Sequence, residues 1–378
     1  MITRYEMEFG AWLGAERAFA FASGRAGLYF VLKALGISDG DEVIVPAFTC
    51  RTVPEQVLLT GARSVFVDID PLTLNVSLVD LLRGITPRTK SVIFQSTFGM
   101  VDGRENVVDA CKARGIPVIV DSAHACPAGS APKAGEGVCA SVYSTGWAKV
   151  ITTGMGGVVA SPDAAIAHYL DREQERCKSM PAISALTIGL QAYLFNRFYR
   201  PALLWPAVKV HTWLVDHGLS PPTTTNTRPA SRHIPSEYNF RMSGLQTCVG
   251  RHALAGLSTN LQRRQELLML AHELLETTPF RVHGAYAAGR DAYLFLPISV
   301  PNKCAILKRA QAAGVALSEW PPQALSPLAP AKSIGLGYVA GSCPVAENSE
   351  KTIICIPIHP RFTDGDMRAV AEFLNDAG

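Results

Sequence analysis

The chain lacks the cysteine patterns that mark zinc sites and disulfide frameworks. Its nine cysteines are scattered over 378 residues, are odd in number and include no C-x-x-C pair. Because a zinc site needs closely spaced ligands and a disulfide framework needs paired cysteines, neither is predicted, and we expect no metal at the functional site. Free thiols are typical of a reducing compartment, so we expect a cytoplasmic protein.

Runs of like charge and long apolar runs are missing too. The formal net charge is +3 and no block of consecutive basic residues occurs, which argues against a nucleic-acid partner. No uninterrupted apolar stretch approaches the ~20 residues that a membrane span needs. The first residues, MITRYEMEFGAWLGAE, are mixed and acidic, so we expect no signal peptide.

The first 160 residues contain an alternation of short apolar runs and helical patterns. Runs that are apolar on both faces are typical of parallel strands buried between helices. The predicted strands are 42–46, 64–68, 91–95, 117–121, 140–144 and 156–161, and the predicted helices are 26–36, 52–61 and 104–115, each ending at a glycine. This is an α/β doubly wound pattern, whose functional atoms lie at the carboxyl ends of the strands.

Composition divides the chain into three parts. Residues 1–180 are predicted to form a large α/β domain, and 236–378 a smaller C-terminal α+β domain that begins with one long amphipathic helix. Between them, 181–235 holds an apolar segment, 183–215, and then a linker or flap rich in Pro and Thr, LSPPTTTNTRPAS, at 219–231.

Three local patterns suit an enzyme that uses pyridoxal phosphate (PLP). Such an enzyme needs a lysine that forms an imine, a carboxylate beneath the pyridine nitrogen and backbone NH groups that hold the phosphate. Asp121 ends a predicted buried strand, where a carboxylate is costly unless a cation such as a pyridinium faces it. Lys149 lies in STGWAKVITTGMGG, which is dense in small residues. SGRAG, at 23–27, opens the first helix and could cradle a phosphate.

Each pattern alone has a more common structural explanation: a helix cap, a solvated lysine, a turn. The longer stretches around them nevertheless resemble one family. The stretches are SGRAGLYFVLKALGISDGDEVIVPAFT, GARSVFVDIDPLTLNVS, ITPRTKSVIFQSTFG, GIPVIVDSAHA, STGWAKVITTGMGGVVAS, EYNFRMSGLQTCVGRHAL and IPIHPRFTDGDM. Over nearly the whole length, the sequence is similar to the DegT/DnrJ/EryC1/StrS family of PLP-dependent sugar aminotransferases. The resemblance implies fold type I, with a mainly parallel central sheet flanked by helices in a PLP-binding domain, 1–180, and a smaller C-terminal α+β lobe.

The resemblance implies catalytic roles for three residues. Lys149 matches the Schiff-base lysine, and Asp121 matches the carboxylate on the pyridine nitrogen. His124 occupies the position, often glutamine in the family, that hydrogen-bonds the cofactor's phenolic oxygen, where an imidazole can donate or accept. The alternative for His124 is a satisfied structural histidine at a strand end, which its neighbours disfavour.

Further matched positions would bind the cofactor's phosphate. Ser144 matches a phosphate-binding hydroxyl, and Gly24 and Arg25 match a Gly-Thr pair whose backbone amides grip the same group. Asn239, in EYNFRM, matches the asparagine that reaches the neighbouring subunit's cofactor phosphate. That match implies a homodimer with shared active sites.

The sequence departs from the family pattern at several positions. Cys50 stands where relatives usually carry an aromatic ring stacked on PLP, so stacking would be weaker or come from elsewhere, with Phe48 the nearest candidate. Arg25 replaces the usual threonine, and its guanidinium could pair with the phosphate. The common RNHG stretch is replaced by DREQERCKSM, so the substrate contacts are not predicted.

The segment 183–215 is the least typical part of the chain. The favoured interpretation is a helical hairpin packed on the partner subunit or over the active site. Its Trp and Tyr residues and its cations would also suit a helix pair lying at a membrane interface, so peripheral membrane contact is a weaker alternative.

The resemblance implies a transaminase that moves an amino group from an amino acid, with glutamate the first candidate, to a nucleotide-linked keto-sugar in polysaccharide or secondary-metabolite biosynthesis. Lys149 would shuttle the proton between cofactor and substrate carbons. Two other enzymes of the family stay open: one with a non-nucleotide acceptor, such as a cyclitol, a keto-acid sugar or a lipid-linked ketone, and a sugar 3-dehydratase, which would carry histidine in place of the lysine. Retention of Asp121, Ser144 and Lys149 argues against a non-catalytic relative.

Overall fold

The computed structural model describes residues 2–147, 149–198, 232–284, 294–320 and 335–377, together with the single residues 200, 206, 210 and 213. The predicted flap at 219–231 and most of 199–215 lie outside the described residues.

A seven-stranded sheet forms the centre of the N-terminal part. Its strands are Ala18–Phe21 (β1), Glu42–Pro46 (β2), Arg63–Val67 (β3), Thr89–Gln95 (β4), Val118–Asp121 (β5), Val138–Ser144 (β6) and Gly157–Ala160 (β7). They lie in the order β1-β7-β6-β5-β4-β2-β3, and β7 alone runs against the others. The predicted α/β fold class is confirmed, and the six predicted strands agree with β2 to β7 to within about two residues. β1 has no predicted counterpart, because four residues carry too little periodicity.

Helices cover both faces of this sheet. They are Ile2–Leu13 (α1), Gly24–Ala34 (α2), Thr52–Thr60 (α3), Leu78–Gly84 (α4), Arg104–Lys112 (α5), Ala164–Arg176 (α6) and Ala182–Phe198 (α7). Successive side chains of β2 point to opposite faces: Val43 and Val45 pack with α2, α3 and α6, and Ile44 packs with α4 and α5. Burial on both faces explains why the strands read as continuous apolar runs.

The C-terminal part adds an antiparallel sheet with its own helices. Its strands are Arg281–Val282 (β8), Phe295–Ser299 (β9) and Ile353–Pro357 (β10), in the order β10-β9-β8. Its helices are Gly244–Ala255 (α8), Leu257–Leu274 (α9), Lys303–Ala313 (α10), Pro344–Thr352 (α11) and Asp364–Ala377 (α12). Phe48 and Phe98 share one apolar cluster with Leu296 and Ile354, so the two sheets have a continuous core. The domain limits at 180 and 236 therefore stay a prediction.

The prediction of a single long helix at the start of the C-terminal part is wrong. Two helices, α8 and α9, meet at Gly256, which has φ −96° and ψ 6° and lies outside both helices. Glycine has a low helix propensity, so the backbone can depart from the helical conformation at this position. Ser243 and Gln246 form a capping box that fixes the start of α8.

The first half of the atypical segment is a single helix, α7, packed on its own chain. Ile188 and Ala192 are buried, and a Cβ on Gly189 would lie 2.3 Å from Leu245 of α8. The second arm of the predicted hairpin lies outside the described residues. Among the helices that the structure describes, none is long and apolar enough to cross a membrane.

Glu42 is a buried carboxylate at the amino end of β2. Its Oε1 accepts hydrogen bonds from Arg63 and Arg88 at 2.8 Å each, and its Oε2 accepts one from Thr86 at 2.6 Å. Burial alone would raise the pKa of Glu42, but the bonds from Thr86, Arg88 and Arg63 lower it to about 2.

We expect Glu42→Gln to reduce the free energy of unfolding by about 1–2 kcal/mol near neutral pH, since both arginines remain hydrated. The folded pKa of this acid lies below its unfolded value of about 4.3, so its contribution is present above that pH and is lost as the pH falls toward 2. Urea unfolding of wild type and variant should therefore converge on acidification. Glu16→Gln, at an exposed position, is the control. A stability difference that does not change with pH would contradict this account.

Candidate active site

A cavity of about 320 Å³ opens at the carboxyl ends of β4, β5 and β6. The last residues of these strands, Gln95, Asp121 and Ser144, all line it. This is the edge at which a doubly wound sheet is expected to bind ligands. The predicted site residues that the structure brings together around the cavity are Gly24, Arg25, Cys50, Asp121, His124, Ser144 and Lys149.

Asp121 is a buried acid with one backbone donor. Its Oδ1 accepts the N–H of Ala123 at 2.9 Å. Burial raises the pKa of Asp121 above its ordinary value, although the Ala123 N–H and the charge of Lys149 act in the opposite direction. The ionised form would gain from a further cation in the cavity.

Lys149 faces the same cavity. Burial lowers the pKa of its ammonium, and the nearby Asp121 and Cys50 partly offset that effect. A lysine with a lowered pKa has more of the neutral, nucleophilic amine near neutral pH.

The segment that carries Lys149 is closed at its base by Thr145 and Thr153. Thr153 N–H donates to the Thr145 carbonyl at 2.8 Å, and the two hydroxyls lie 2.9 Å apart. Gly156 completes the base with φ +152°, and a Cβ there would lie 2.4 Å from Met242 and 2.5 Å from the Thr145 hydroxyl. The small residues of this segment therefore allow a tight loop to present the lysine.

The start of α2 and the end of β6 form a candidate anion-binding corner. Ser23 caps α2 by accepting the N–H of Ala26 at 3.2 Å, while the N–H groups of Gly24 and Arg25 have no acceptor within the helix. Gly24 packs directly on Ser144, because a Cβ would lie 3.4 Å from the serine Cβ. A Cβ on Gly157 would lie 2.3 Å from the Gly24 Cα. Two missing side chains thus let backbone NH groups and a hydroxyl converge, an arrangement that suits a phosphate.

His124 is held neutral and in one tautomer. Burial and the charge of Lys149 lower its pKa well below the ordinary value. Its Nδ1 accepts the N–H of Phe98 at 3.2 Å, so the ring proton lies on Nε2, which is then a donor. Phe98 makes this bond from a left-handed backbone, φ 59°, which is strained for a residue other than glycine.

The aromatic lining differs from the one expected. Phe48, the predicted stacking candidate, is fully buried and packs on Phe98 and Trp320 rather than lining the cavity. Trp320 lines it instead, with its ring 4.3 Å from the His124 ring and edge-on to it. Cys50 does line the cavity, and its sulfur accepts the hydroxyl of Thr52 at 3.2 Å.

Asn239 is not among the residues that line this cavity. It is exposed at the end of a short 3₁₀ turn, Ser236–Asn239, and its carbonyl accepts the N–H of Lys178 at 2.7 Å. The turn is anchored by Tyr238, whose hydroxyl donates to Gln56 at 2.7 Å. The role of Asn239 at a neighbouring subunit stays a prediction.

Several lining residues had no place in the predicted site, among them Gln95, Trp147 and Trp320. Gln95 ends β4, so the strand-end rule that singled out Asp121 would have found it too. Its amide is locked by the Thr49 hydroxyl at 2.6 Å and the Thr97 hydroxyl at 2.9 Å. Trp147 lies two residues before Lys149, and Trp320 comes from the C-terminal part, where the sequence gives no sign of its position.

The chain resembles known aminotransferases in sequence and in fold. The DegT/DnrJ/EryC1/StrS aminotransferase family model matches residues 1–375. The spore coat polysaccharide biosynthesis protein SpsC of Bacillus subtilis (strain 168) is 26% identical over 99% of this chain and 89% of its own. GDP-perosamine synthase of Vibrio cholerae is 35% identical over 42% of this chain and 44% of its own. The crystal structure of a DegT/DnrJ/EryC1/StrS aminotransferase from Brucella abortus matches with a TM-score of 0.74 and 21% identity, covering 100% of this chain and 90% of that one.

Gly157→Ala tests the contact that holds α2 against the strands. The new methyl group would overlap the Gly24 backbone and push the start of α2 away from the strands. We therefore expect the free energy of unfolding to fall by about 1–3 kcal/mol. Phosphate protection against thermal unfolding should be lost as well, since the corner no longer closes. Gly256→Ala is the matched control, because the nearest atom to its Cβ is 3.9 Å away. Unchanged phosphate protection in Gly157→Ala would refute the anion-binding corner.

Proposed function

The chain belongs to the DegT/DnrJ/EryC1/StrS aminotransferase family and is an aminotransferase, and from this premise we propose that its cavity binds PLP and that it aminates a nucleotide-linked keto-sugar. The observation that carries the proposal is the convergence of a buried acid, Asp121, a half-buried lysine, Lys149, and a helix start, Gly24, on one cavity.

The cavity fits the phosphate of PLP at its anion-binding corner. The N–H groups of Gly24 and Arg25 and the hydroxyl of Ser144 would donate to the phosphate oxygens. Arg25 also lines the cavity, with its guanidinium 3.9 Å from Glu237. It therefore adds positive charge to this corner while staying tied to the turn that carries Asn239.

Asp121 would hold the ring nitrogen of the cofactor protonated. Burial raises the pKa of Asp121, so the carboxylate gains from a cation that replaces lost water, and a pyridinium supplies one. The bound cofactor supplies an electron sink for the substrate's carbon. Asp121 would keep that sink charged.

Lys149 would attach to the cofactor and later move the proton between carbon atoms. The lowered pKa of its amine suits both tasks, because the neutral form is the nucleophile and the base. His124, neutral and with its proton on Nε2, would donate to the cofactor's phenolic oxygen. Trp320, which packs on His124, would line the cavity beside the cofactor's phenolic oxygen.

The acceptor is inferred from the relatives. A GDP-perosamine synthase and a spore coat polysaccharide protein are similar to this chain, which supports a nucleotide-linked keto-sugar and a role in polysaccharide biosynthesis. An amino acid, with glutamate the first candidate, would be the donor. We further propose a homodimer, since Asn239 is exposed on a turn anchored by Tyr238 and its match in the family reaches a second subunit's cofactor phosphate.

Lys149→Ala tests the covalent attachment. Borohydride treatment of the PLP-loaded wild type should leave the cofactor fixed to the chain, visible by intact mass, because the lysine imine is reduced in place. The variant should bind PLP through the phosphate corner and release it on denaturation, with nothing fixed. Lys133→Ala, at an exposed lysine, is the control and should behave as wild type. Fixed cofactor in Lys149→Ala would show that another amine is used.

Asp121→Asn tests the ring-nitrogen role separately. The amide keeps the shape and removes the charge, so the rate at which an amino acid converts the bound cofactor to its aminated form should fall by about two to three orders of magnitude. The measurement is single-turnover absorbance with glutamate, followed by a panel of keto-sugar nucleotides and one keto-cyclitol. Conversion at the wild-type rate would contradict the role of Asp121, and amination of the cyclitol alone would contradict the nucleotide-sugar acceptor.

A further inference from the structure

One side of α7 is an exposed apolar stripe. Ile183, Leu186, Leu190, Tyr193 and Leu194 are between 44% and 82% exposed. Their helical spacing, i, i+3, i+7, i+10 and i+11, places them within a single arc of about 100°. A helix that is apolar on both of its sides is expected to be covered on both, so this stripe calls for an occupant.

The opposite side of α7 is fixed to the segment that carries Lys149. Asn196 donates to the carbonyl of Thr152 at 3.3 Å. The Phe195 ring lies edge-on to the Trp147 ring at 5.8 Å. A Cβ on Gly154 would lie 3.0 Å from Ile188. Because these contacts hold the inner side in place, the stripe cannot be buried by rotating the helix.

The charge of the surrounding sequence has one sign. Residues 177–215 contain no Asp or Glu, and their charged residues are Lys178, Arg197, Arg200 and Lys209. Arg197 and Arg200 are exposed at the carboxyl end of the stripe. A third arginine, Arg361, adds to this charge. Burial and the charges of Arg200 and Arg197 lower the pKa of Arg361, which indicates that the three guanidinium groups are near one another. The stripe therefore ends in a basic patch, which an anionic surface would complement.

We propose that α7 docks the enzyme on an anionic lipid surface, with the apolar stripe at the level of the acyl chains and the basic patch against the headgroups. The stripe spans roughly 17 Å along the helix axis, which suits a helix lying in the plane of the interface and is too short to cross it. Tyr193, which is more than half exposed on the stripe, is a residue type that prefers this depth.

A second copy of the chain fits the stripe less well. In a two-fold contact of antiparallel helices, the arginine end of one stripe lies against the Ile183 end of the other, where residues 177–215 offer Lys178 and no acid. An anionic lipid surface supplies negative charge along the whole stripe. Lipid binding is independent of the proposed amination chemistry, so the test of lipid binding does not depend on that proposal.

The test is co-sedimentation of the full chain with phosphatidylcholine vesicles that contain or lack phosphatidylserine. We expect binding to the phosphatidylserine vesicles that weakens as salt is raised. Leu186→Glu should reduce the partition coefficient at least tenfold. Leu72→Glu is the matched control, because Leu72 and Leu186 are both 62% exposed, and it should bind as wild type. Arg197→Gln with Arg200→Gln should lower binding about fivefold per charge on the anionic vesicles only.

Light scattering and thermal unfolding of each variant separate the outcomes. A variant that keeps its mass and melting temperature but leaves the vesicles supports the proposal, and Ile183→Ser provides a milder change at the most exposed position should Leu186→Glu fail to fold. Wild-type protein that binds neither kind of vesicle overturns the proposal. So does a Leu186→Glu variant whose only change is a halved mass, since that result assigns the stripe to a second copy.

Discussion

The active site depends on two opposite charges taken out of water at the end of a buried sheet. Burial raises the pKa of Asp121 and lowers that of Lys149, and each partly counters the shift of the other. Either charge without the other would be destabilised in this environment. A ligand that brings a cation to the acid and accepts the amine covalently relieves both, which is the physical reason why we propose PLP as the ligand of this cavity.

The rest of the fold serves to bring these groups within one small volume. Parallel strands end at the same edge, so Gln95, Asp121 and Ser144 come together although the chain separates them. Gly24 and Gly157 let α2 begin directly on the strand ends, and Thr145 and Thr153 close the loop that presents Lys149. On the outside of that loop, α7 connects the lysine segment to the surface through Asn196 and Phe195. An interaction at the exposed stripe is therefore separated from the segment that carries Lys149 only by the width of α7.

Much of this arrangement was predictable, and the exceptions share a cause. Asp121 and Ser144 were found because apolar runs mark buried strands, and the same rule reaches Gln95. The break at Gly256 was missed because amphipathic periodicity continues through it, so the pattern of side chains gave no sign that the backbone leaves the helix. Phe48 was the nearest aromatic along the chain, yet its side chain points into the shared core, and Trp320 from a distant part of the chain takes its place at the cavity.

The sequence by itself determined the fold class from local periodicity, and its resemblance to the family singled out the strand-end carboxylate, the lysine and the glycine-rich helix start among local patterns that are individually common. Only the tertiary structure decided which aromatic ring faces His124, which tautomer that histidine adopts and which side of α7 stays exposed. Those features depend on contacts between parts of the chain that lie far apart, such as Phe98 with His124 and Ile188 with Gly154. Such contacts are set by how the layers pack, and packing leaves no periodic trace in the sequence.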